Sequence, residues 1–278
     1  MKLKKFLLLI FIPLAFIFSG CKTNELESIS KELSNFTLDI VYNDNHTISV
    51  KQSLEYRNET DTSLDNLMFH LYPRSFREGA KSTVISKLNY DKCYYNGRSY
   101  GDINITKVLV EDTEKEISIV GNDEDILDIK FDDTLAPDNT IDIYLEYVVT
   151  LPNINHRFGY GENTINIANF YPIPCMYENG EFVIDSYHYN GDPFYSSVSN
   201  YNVTMSIPNT LKLASTGEII SQETYENNSI YNIEAKVVRD FAVILSDKYL
   251  VLTDNIDNIQ VNYFYYKTNT QVSVCKPV

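Results

Sequence analysis

The chain has 278 residues, of which 44% are hydrophobic, so it can bury the core of one large domain or of two small ones. Its 38 acidic and 23 basic residues give a formal net charge of −15, which argues against DNA or RNA as a partner, because phosphate binding needs a basic surface. Ten Gly, nine Pro, 22 Tyr and 14 Phe exclude collagen-like and disordered chains.

The first residues are typical of a bacterial export signal. Three lysines precede an apolar run over residues 6–18, which is shorter than the roughly 20 residues of a membrane-spanning helix. The run ends in Phe18-Ser-Gly-Cys21, which resembles the bacterial lipobox, where the Cys is acylated. We predict a signal peptide over residues 1–20, lipidation (palmitate) of Cys21 and a polar tether over residues 21–34. The alternatives are a secretory signal with a coincidental Cys, or an uncleaved anchor.

This leader predicts a location as well as a modification. A lipid on Cys21 would hold the chain on the extracytoplasmic face of the cell membrane, so the membrane is the first predicted partner. The remaining thiols, Cys93, Cys175 and Cys275, are odd in number and widely spaced, which does not predict a disulfide framework or a zinc ribbon. At most one pair of them can bridge, and the sequence does not say which.

From residue 35 onward the dominant hydrophobic period is two, which is typical of strands. The clearest case is Ile141–Val149, with an apolar residue at every odd position. Further strand patterns cover His46–Tyr56, Asn66–Leu71, Ile105–Val110, Glu116–Val120, Ile126–Phe131, Tyr201–Ile207, Ser229–Ile233, Val237–Leu245 and Ile259–Tyr265. Turn signals such as Glu178-Asn-Gly180 lie between them.

Short, closely spaced strands without intervening helices indicate antiparallel sheets. We therefore predict an all-β domain over residues 35–266, built as an antiparallel sheet or sandwich. Residues 267–278 form a tail without a helical pattern, which an early stop, a shifted reading frame or a natural short form would each explain.

The sequence contains no His-Glu-x-x-His, phosphate loop, Gly-x-Ser-x-Gly or Cys-x-x-Cys. Its four histidines are too far apart for a local zinc motif. The densest polar cluster, Asp185–Asp192 with Ser186 and His188, is a weak Ser/His/Asp arrangement that a hydrogen-bonded loop explains better. Glu111-Asp112 and Asp123-Glu124-Asp125 offer oxygen ligands for calcium, but a solvated face is the simpler interpretation.

Four further stretches stand out in chain order. They are Tyr56-Arg-Asn-Glu-Thr60 with Leu64-Asp-Asn-Leu-Met-Phe-His-Leu-Tyr-Pro73; Asn155-His-Arg-Phe-Gly-Tyr160 with Ala168-Asn-Phe-Tyr-Pro-Ile-Pro-Cys175; Tyr189-Asn-Gly-Asp-Pro-Phe194 with Asn200–Pro208 and Ala214-Ser-Thr-Gly217; and Val238-Arg-Asp-Phe-Ala-Val-Ile-Leu-Ser246. Together they resemble the N-terminal domain of the aminopeptidase N family, the zinc-dependent gluzincin aminopeptidases. The resemblance spans residues 36–266 and implies a saddle-like β domain.

In that family, a following domain holds zinc through His-Glu-x-x-His and a distant Glu. This chain stops at Val278, about where that domain should begin, so we predict no catalytic residue, no metal ligand and no cofactor in the chain itself. Zinc is implied only for the complete enzyme. The resemblance also implies a domain interface in Asn169–Tyr177 and makes Glu178 a candidate to bind the amino terminus of a peptide substrate.

Two functional hypotheses follow. The chain is either the non-catalytic domain of a membrane-anchored aminopeptidase, partnered by a catalytic domain, or a stand-alone surface lipoprotein that binds peptides or glycans on Tyr-rich loops. A hydrolase that uses the Asp185–Asp192 cluster is a remote third hypothesis.

Overall fold

The computed structural model describes residues 25–257 and 259–267. The leader, Cys21 and Cys275 lie outside these residues. The helical elements are α1 (Glu25–Ser30), α2 (Tyr90–Cys93) and 3₁₀ turns at Tyr72–Phe76 and Lys87–Asn89. The strands, in chain order, are β1 (Asn35–Tyr42), β2 (Thr47–Arg57), β3 (Leu64–His70), β4 (Asp102–Val110), β5 (Thr113–Glu114), β6 (Ser118–Val120), β7 (Ile126–Leu135), β8 (Thr140–Thr150), β9 (Phe158–Tyr160), β10 (Ile165–Ala168), β11 (Ile173–Pro174), β12 (Tyr177–Glu178), β13 (Glu181–Phe182), β14 (Ser199–Pro208), β15 (Lys212–Ser215), β16 (Glu218–Tyr225), β17 (Asn228–Val238), β18 (Ala242–Ser246), β19 (Leu250–Ile256) and β20 (Ile259–Tyr265).

The strands form one large sheet and several small ones. The large sheet has eight strands in the order β16-β17-β14-β1-β2-β8-β4-β5. Two four-stranded sheets have the orders β15-β18-β10-β9 and β11-β3-β7-β6, and β12-β13 and β19-β20 are separate hairpins. The predicted all-β class with antiparallel sheets is therefore confirmed.

One strand pair departs from the predicted antiparallel arrangement. β1 lies between β2, with which it is antiparallel, and β14, with which it is parallel over Asn35–Val41. A parallel neighbour needs a long crossover, and here the crossover contains most of the domain. The single strand predicted over Val237–Leu245 is also wrong, because this stretch is divided between β17, which ends at Val238, and β18, which begins at Ala242. Val237, near the end of β17, has a left-handed backbone (φ 56°), which distorts the extended run one residue before the strand ends.

The large sheet is buried on one face, which is why its strands show a period of two. In β1 and β2, every second residue is buried, and the alternate residues are mostly exposed. The buried face packs on Phe170 and Tyr171: the ring of Phe36 stacks on Tyr201 at 4.8 Å and meets the edge of Tyr171 at 5.6 Å. These side chains belong to one continuous hydrophobic core.

A polar link in this core fixes the chain that follows β10. Gln52 lies on the buried face of β2 and is 0% exposed. It accepts a hydrogen bond from the Tyr147 hydroxyl (2.9 Å) and donates one to the carbonyl of Pro172 (3.3 Å). Because buried polar groups need partners, this arrangement positions Pro172 and the strand β11 that comes directly after it.

In the part of the chain that the structure describes, no helix is long and apolar enough to cross a membrane.

Candidate functional site

A cavity of about 160 Å³ lies beside β11 and β12. We call it the Met176 cavity. Its walls include Tyr56 and Glu59, from β2 and the turn after it, Cys175 and Met176, which join β11 to β12, and Ser197, which precedes β14. Residues that are far apart in the sequence therefore meet at the end of Asn169–Tyr177, the segment predicted to contain a domain interface.

Glu59 supplies a carboxyl group at the rim of this cavity. Ser197 Oγ lies 3.2 Å from Glu59 Oε2 and 3.4 Å from Met176 Sδ. The residue is exposed overall, yet the protein around its carboxyl raises the pKa through desolvation, an effect that the Ser197 hydrogen bond and the charge of Arg57 oppose. The cavity thus carries a carboxyl group that takes up a proton more readily than an isolated glutamate does.

Cys175 lines the same cavity as a neutral thiol. Its side chain is 4% exposed, and burial, followed by the charge of Asp125, raises the pKa of its thiol. Because the thiolate is the nucleophilic form, Cys175 is not an activated nucleophile. Among the residues that the structure describes, Cys175 and Cys93 form no disulfide bond, so they do not pair with each other.

Glu178 lies next to the cavity rather than in its wall. It ends β12, whose tight turn to β13 uses left-handed backbones at Asn179 and Gly180 (φ 52° and 88°), as the Asn-Gly sequence predicts. The Tyr195 hydroxyl donates a hydrogen bond to Glu178 Oε1. The carboxylate is exposed and held by this bond, so it is free to meet a ligand. Its role in substrate binding remains a prediction.

The segment Asn169–Tyr177 is mostly unsuitable as a domain interface. Six of its nine residues are buried in the domain's own core, and only Pro174, Met176 and Tyr177 are half-buried. Phe170 and Tyr171 are 0% exposed. The interface predicted over the whole segment is therefore wrong for its first half, and only its end, at the Met176 cavity, is accessible.

The structure does not assemble the Asp185–Asp192 cluster into a Ser/His/Asp arrangement. Burial raises the pKa of Asp125, which lies before β7, and the Ser186 side chain near it opposes this rise. Asp192 accepts a hydrogen bond from its neighbour Phe194 (backbone N, 3.3 Å) and lies 3.9 Å from Arg157. His188 is exposed. The cluster is a loop held by local bonds.

The carboxylate pairs are also not calcium sites. Asp123 and Asp125 are 2% and 4% exposed, so the solvated face predicted for them is wrong. Glu111 and Asp112 form a turn with left-handed backbones, and Glu111 accepts a hydrogen bond from the Asp142 backbone (2.9 Å). Across residues 25–257 and 259–267, no group of three or more His, Cys, Asp or Glu side chains is arranged to hold a metal ion.

Three of the histidines pack against aromatic side chains. His46 stacks on Tyr160 at 3.7 Å and hydrogen-bonds the Tyr42 hydroxyl at 2.6 Å. His70 stacks on Tyr72, and His156 packs against Phe76. Burial lowers the pKa of His70 to about 4, and burial with the nearby charge of Arg157 does the same for His156.

The hairpin β19-β20 has one mostly apolar face, interrupted by Asp254, and one more polar face, which also carries the pair Val251–Phe264. Directly paired residues share a face, and the pairs Leu252–Tyr263 and Ile256–Ile259 lie on the same side. On that side the exposed fractions are 47% for Leu252, 57% for Tyr263 and 67% for Ile259. The opposite side carries the Thr253–Asn262 hydrogen bond (2.7 Å). The described residues thus leave the apolar face of this hairpin uncovered.

Sequence reasoning missed Glu59 and Ser197 as cavity residues. They are 138 positions apart, and neither lies in a recognisable motif. It also missed the amphipathic character of the hairpin, since β19 was not predicted as a strand. The exposed pattern Leu250-Val-Leu-Thr-Asp-Asn-Ile256 was the available signal, but its alternation is incomplete.

Comparisons with known proteins gave matches only among solved structures. No protein-family model matches the chain, and no curated protein matches it. An M1 zinc metallopeptidase from Deinococcus radiodurans is similar at 10% identity with a TM-score of 0.49, over 82% of this chain and 45% of that one. A mutant of an M1 zinc metallopeptidase from the same organism, bound to a Tyr-Ser-Ala substrate, is similar at 10% identity with a TM-score of 0.49, over 87% and 50%. This chain thus spans about half the length of the structures it matches.

Proposed function

We propose that this chain is the non-catalytic β domain of a membrane-anchored, aminopeptidase-N-like zinc metallopeptidase, and that it acts by packing against a catalytic domain. The four motifs that resemble the family support this function. The observation that carries it is the uncovered apolar face of β19-β20, because large exposed apolar patches mark interaction sites and a lone two-stranded hairpin is marginally stable in water.

The zinc chemistry of such an enzyme would belong to the partner domain. The described residues do not fit a zinc site, since their His, Cys, Asp and Glu side chains do not converge in groups of three, and zinc in proteins is usually held by three or four such ligands. We assign to this chain only two roles: it contacts the peptide substrate, and it forms one side of the substrate groove beside the Met176 cavity.

The first test is to translate the gene beyond codon 278 in all frames. The proposed function expects a His-Glu-x-x-His with a Glu about twenty residues further on. If it is found, that product and this chain are co-purified and assayed for release of amino acids from peptides. Leu252→Ser with Ile259→Ser is expected to lower the activity at least ~tenfold by removing apolar contact area.

Asn255→Ser with Asn262→Ser, on the polar face of the same hairpin, is the matched control and should leave the activity unchanged. Equal activity in both double variants would contradict the proposed interface. Zinc-dependent peptide hydrolysis by this chain alone would contradict the non-catalytic role.

Glu178 is proposed to bind the amino terminus of the peptide in that assembled enzyme. A carboxylate that pairs with an ammonium group in a partly enclosed site contributes about 1.5–3 kcal/mol, so Glu178→Gln is expected to raise KM about tenfold or more. Glu181→Gln is the control, because Glu181 is paired directly opposite Glu178 across the same hairpin. An equal rise in KM for both variants would show that only general charge matters.

Membrane anchoring through Cys21 is proposed from the sequence. Cys21→Ser is expected to abolish acylation and to shift the protein from the membrane fraction to the soluble fraction, because one Cys carries all the acyl chains that hold it. Labelling of cells with radioactive palmitate measures the first effect, and fractionation measures the second. Labelling that persists in the variant would refute lipidation at this residue.

A stand-alone binding module is the second candidate function. The loop that joins β13 to β14 favours it, because Tyr189 and Tyr195 are 51% and 42% exposed there and exposed tyrosines are common in recognition surfaces. Saturable binding of a peptide or glycan that Tyr189→Ala abolishes would support this function over the first.

A further inference from the structure

A second cavity, of about 290 Å³, lies under the irregular segment between β3 and β4. We call it the Arg98 cavity. The charged side chains that line it are Lys81, Lys87 and Arg98, and no acidic residue lines it. Ser82 and Thr83 add hydroxyl groups to the wall. The cavity shares no lining residue with the Met176 cavity.

The segment that forms this cavity is positively charged, whereas the whole chain is negatively charged. Residues 72–102 contain six basic and three acidic residues, a local charge of +3. The remaining residues contain 17 basic and 35 acidic residues, a charge of −18. A basic cavity in so acidic a protein concentrates anions at one place, while the rest of the surface repels them.

The three cations are available to a ligand. In the described part of the chain, none of them lies within salt-bridge distance of a carboxylate. Lys81 Nζ donates to the carbonyl of Asn122 (2.5 Å), which orients it and leaves two of its N–H donors. Asp123 accepts hydrogen bonds from the backbone N–H groups of Lys81 and Ser82, and its carboxylate is already paired with Arg77 at 3.1 Å.

Two features hold the cavity wall in place. Arg98 lies over the rings of Tyr100, Tyr94 and Tyr90, at 5.2, 5.4 and 6.0 Å from their centroids, which restrains its guanidinium through cation–π attraction. The backbone N–H groups of Lys81 and Ser82 both donate to Asp123 at 2.8 Å. The cationic groups are therefore presented by a restrained loop, which lowers the entropy lost on binding.

The wall also contains a polar group that lacks a partner. Tyr94 lines the cavity and is 4% exposed, and its hydroxyl is a buried group without a hydrogen-bond partner among the residues that the structure describes. Buried hydroxyls are usually paired. A ligand or water that reaches this wall would supply the missing acceptor.

We propose that the Arg98 cavity binds the phosphate group of a small anionic ligand, held by Lys81, Lys87 and Arg98. Three cations match the two negative charges of a phosphate ester better than the single charge of a carboxylate, and lysine ammonium and arginine guanidinium groups are both common phosphate ligands. A soluble phosphate ester and a phospholipid headgroup share this chemistry. This proposal does not depend on the proposed peptidase partner.

The test uses the full 278-residue chain in mild detergent and pyrophosphate as the soluble probe, titrated by calorimetry at low ionic strength. Lys81→Gln with Lys87→Gln and Arg98→Gln is expected to weaken binding at least ~tenfold, because it removes all three charge-assisted contacts. The control is Lys31→Gln with Lys51→Gln and Lys212→Gln. It makes the same change in net charge at exposed positions and should change the affinity less than about threefold, since distant charges are screened.

A second variant guards against loss of folding. Lys87→Glu alters one exposed side chain and is expected to weaken pyrophosphate binding at least ~tenfold while the melting temperature stays unchanged.

A second experiment measures binding to vesicles of phosphatidylglycerol and to vesicles of phosphatidylcholine. If the chain prefers phosphatidylglycerol vesicles, does not bind pyrophosphate, and loses vesicle binding in the cavity variants, the site is supported and its ligand is a lipid headgroup. Absence of both kinds of binding, or equal loss in the control triple variant, overturns the proposal.

Discussion

Acidification from pH 6.5 to pH 4 is expected to lower the free energy of unfolding by about 3 kcal/mol for each of two histidines, His70 and His156. Burial lowers the pKa of both from 6.5 to about 4. Between these two pH values the unfolded chain binds protons that the folded chain does not. Stability is therefore complete above pH 6.5, falls as the pH drops towards 4, and changes little through these groups below that.

The measurement is urea unfolding at pH 7 and pH 4 for the parent chain, His70→Gln and His156→Gln. Each variant is expected to lose less stability on acidification than the parent, whatever its stability at pH 7. His188→Gln, at an exposed position, controls for removal of an imidazole. Burial raises the pKa of Glu59 and of Asp125, so acidification stabilises the fold through these two groups. The prediction is therefore tested by the difference in stability loss between the parent and each variant, not by the loss in the parent alone. Identical losses in all four chains would contradict the prediction.

Asp123→Ala is expected to destabilise the fold by about 3–5 kcal/mol, because it leaves two backbone donors unpaired and removes the buried carboxylate that Arg77 contacts. Asp123 is 2% exposed and accepts hydrogen bonds from Arg77 (3.1 Å), Lys81 N and Ser82 N (2.8 Å each). The loop that lines the Arg98 cavity is fastened to the strand β7 side of the domain through this carboxylate.

The neighbouring residue gives a matched control. Glu124 is also near Arg77 (3.7 Å), but its side chain is 69% exposed, so Glu124→Ala should cost less than about 1 kcal/mol. Burial alone would raise the pKa of Asp123, yet its hydrogen bonds and the Arg77 charge outweigh burial and lower the pKa. The stabilisation is thus present above pH 3.8 and is lost as the pH falls through the lower folded value. Equal costs for the two variants in urea unfolding would refute the role of Asp123.

The strands that the sequence predicted well are those with one buried and one exposed face. The pattern Ile141–Val149 became β8 (Thr140–Thr150) because its alternate residues meet the core. β16 was missed because most of its residues are exposed on both faces, which leaves no alternation to detect. The parallel pairing of β1 with β14 was also missed, since hydrophobic periodicity does not reveal which strands are neighbours.

The candidate site was less predictable than the fold. The turn after Glu178 was readable, because Asn-Gly favours left-handed backbones. The contact of Glu59 with Ser197 depends on the crossover from β1 to β14 and on the loop before β14, neither of which leaves a local signal. Asp123 looked like one of many surface carboxylates, and its burial, its backbone hydrogen bonds and its contact with Arg77, 46 positions away, show that it is structural.

The parallel pair has a consequence for how the chain folds during synthesis. Strand β1 sits in the middle of the large sheet, but Asn35 is paired with Asn200, which is synthesised 165 residues later. Until β14 arrives, one edge of β1 has unpaired backbone groups and can join strands of other chains. Contacts of such long sequence separation also slow folding. The nascent domain is therefore expected to need protection by chaperones until about residue 208 has emerged, and chains cut short before β14 should aggregate.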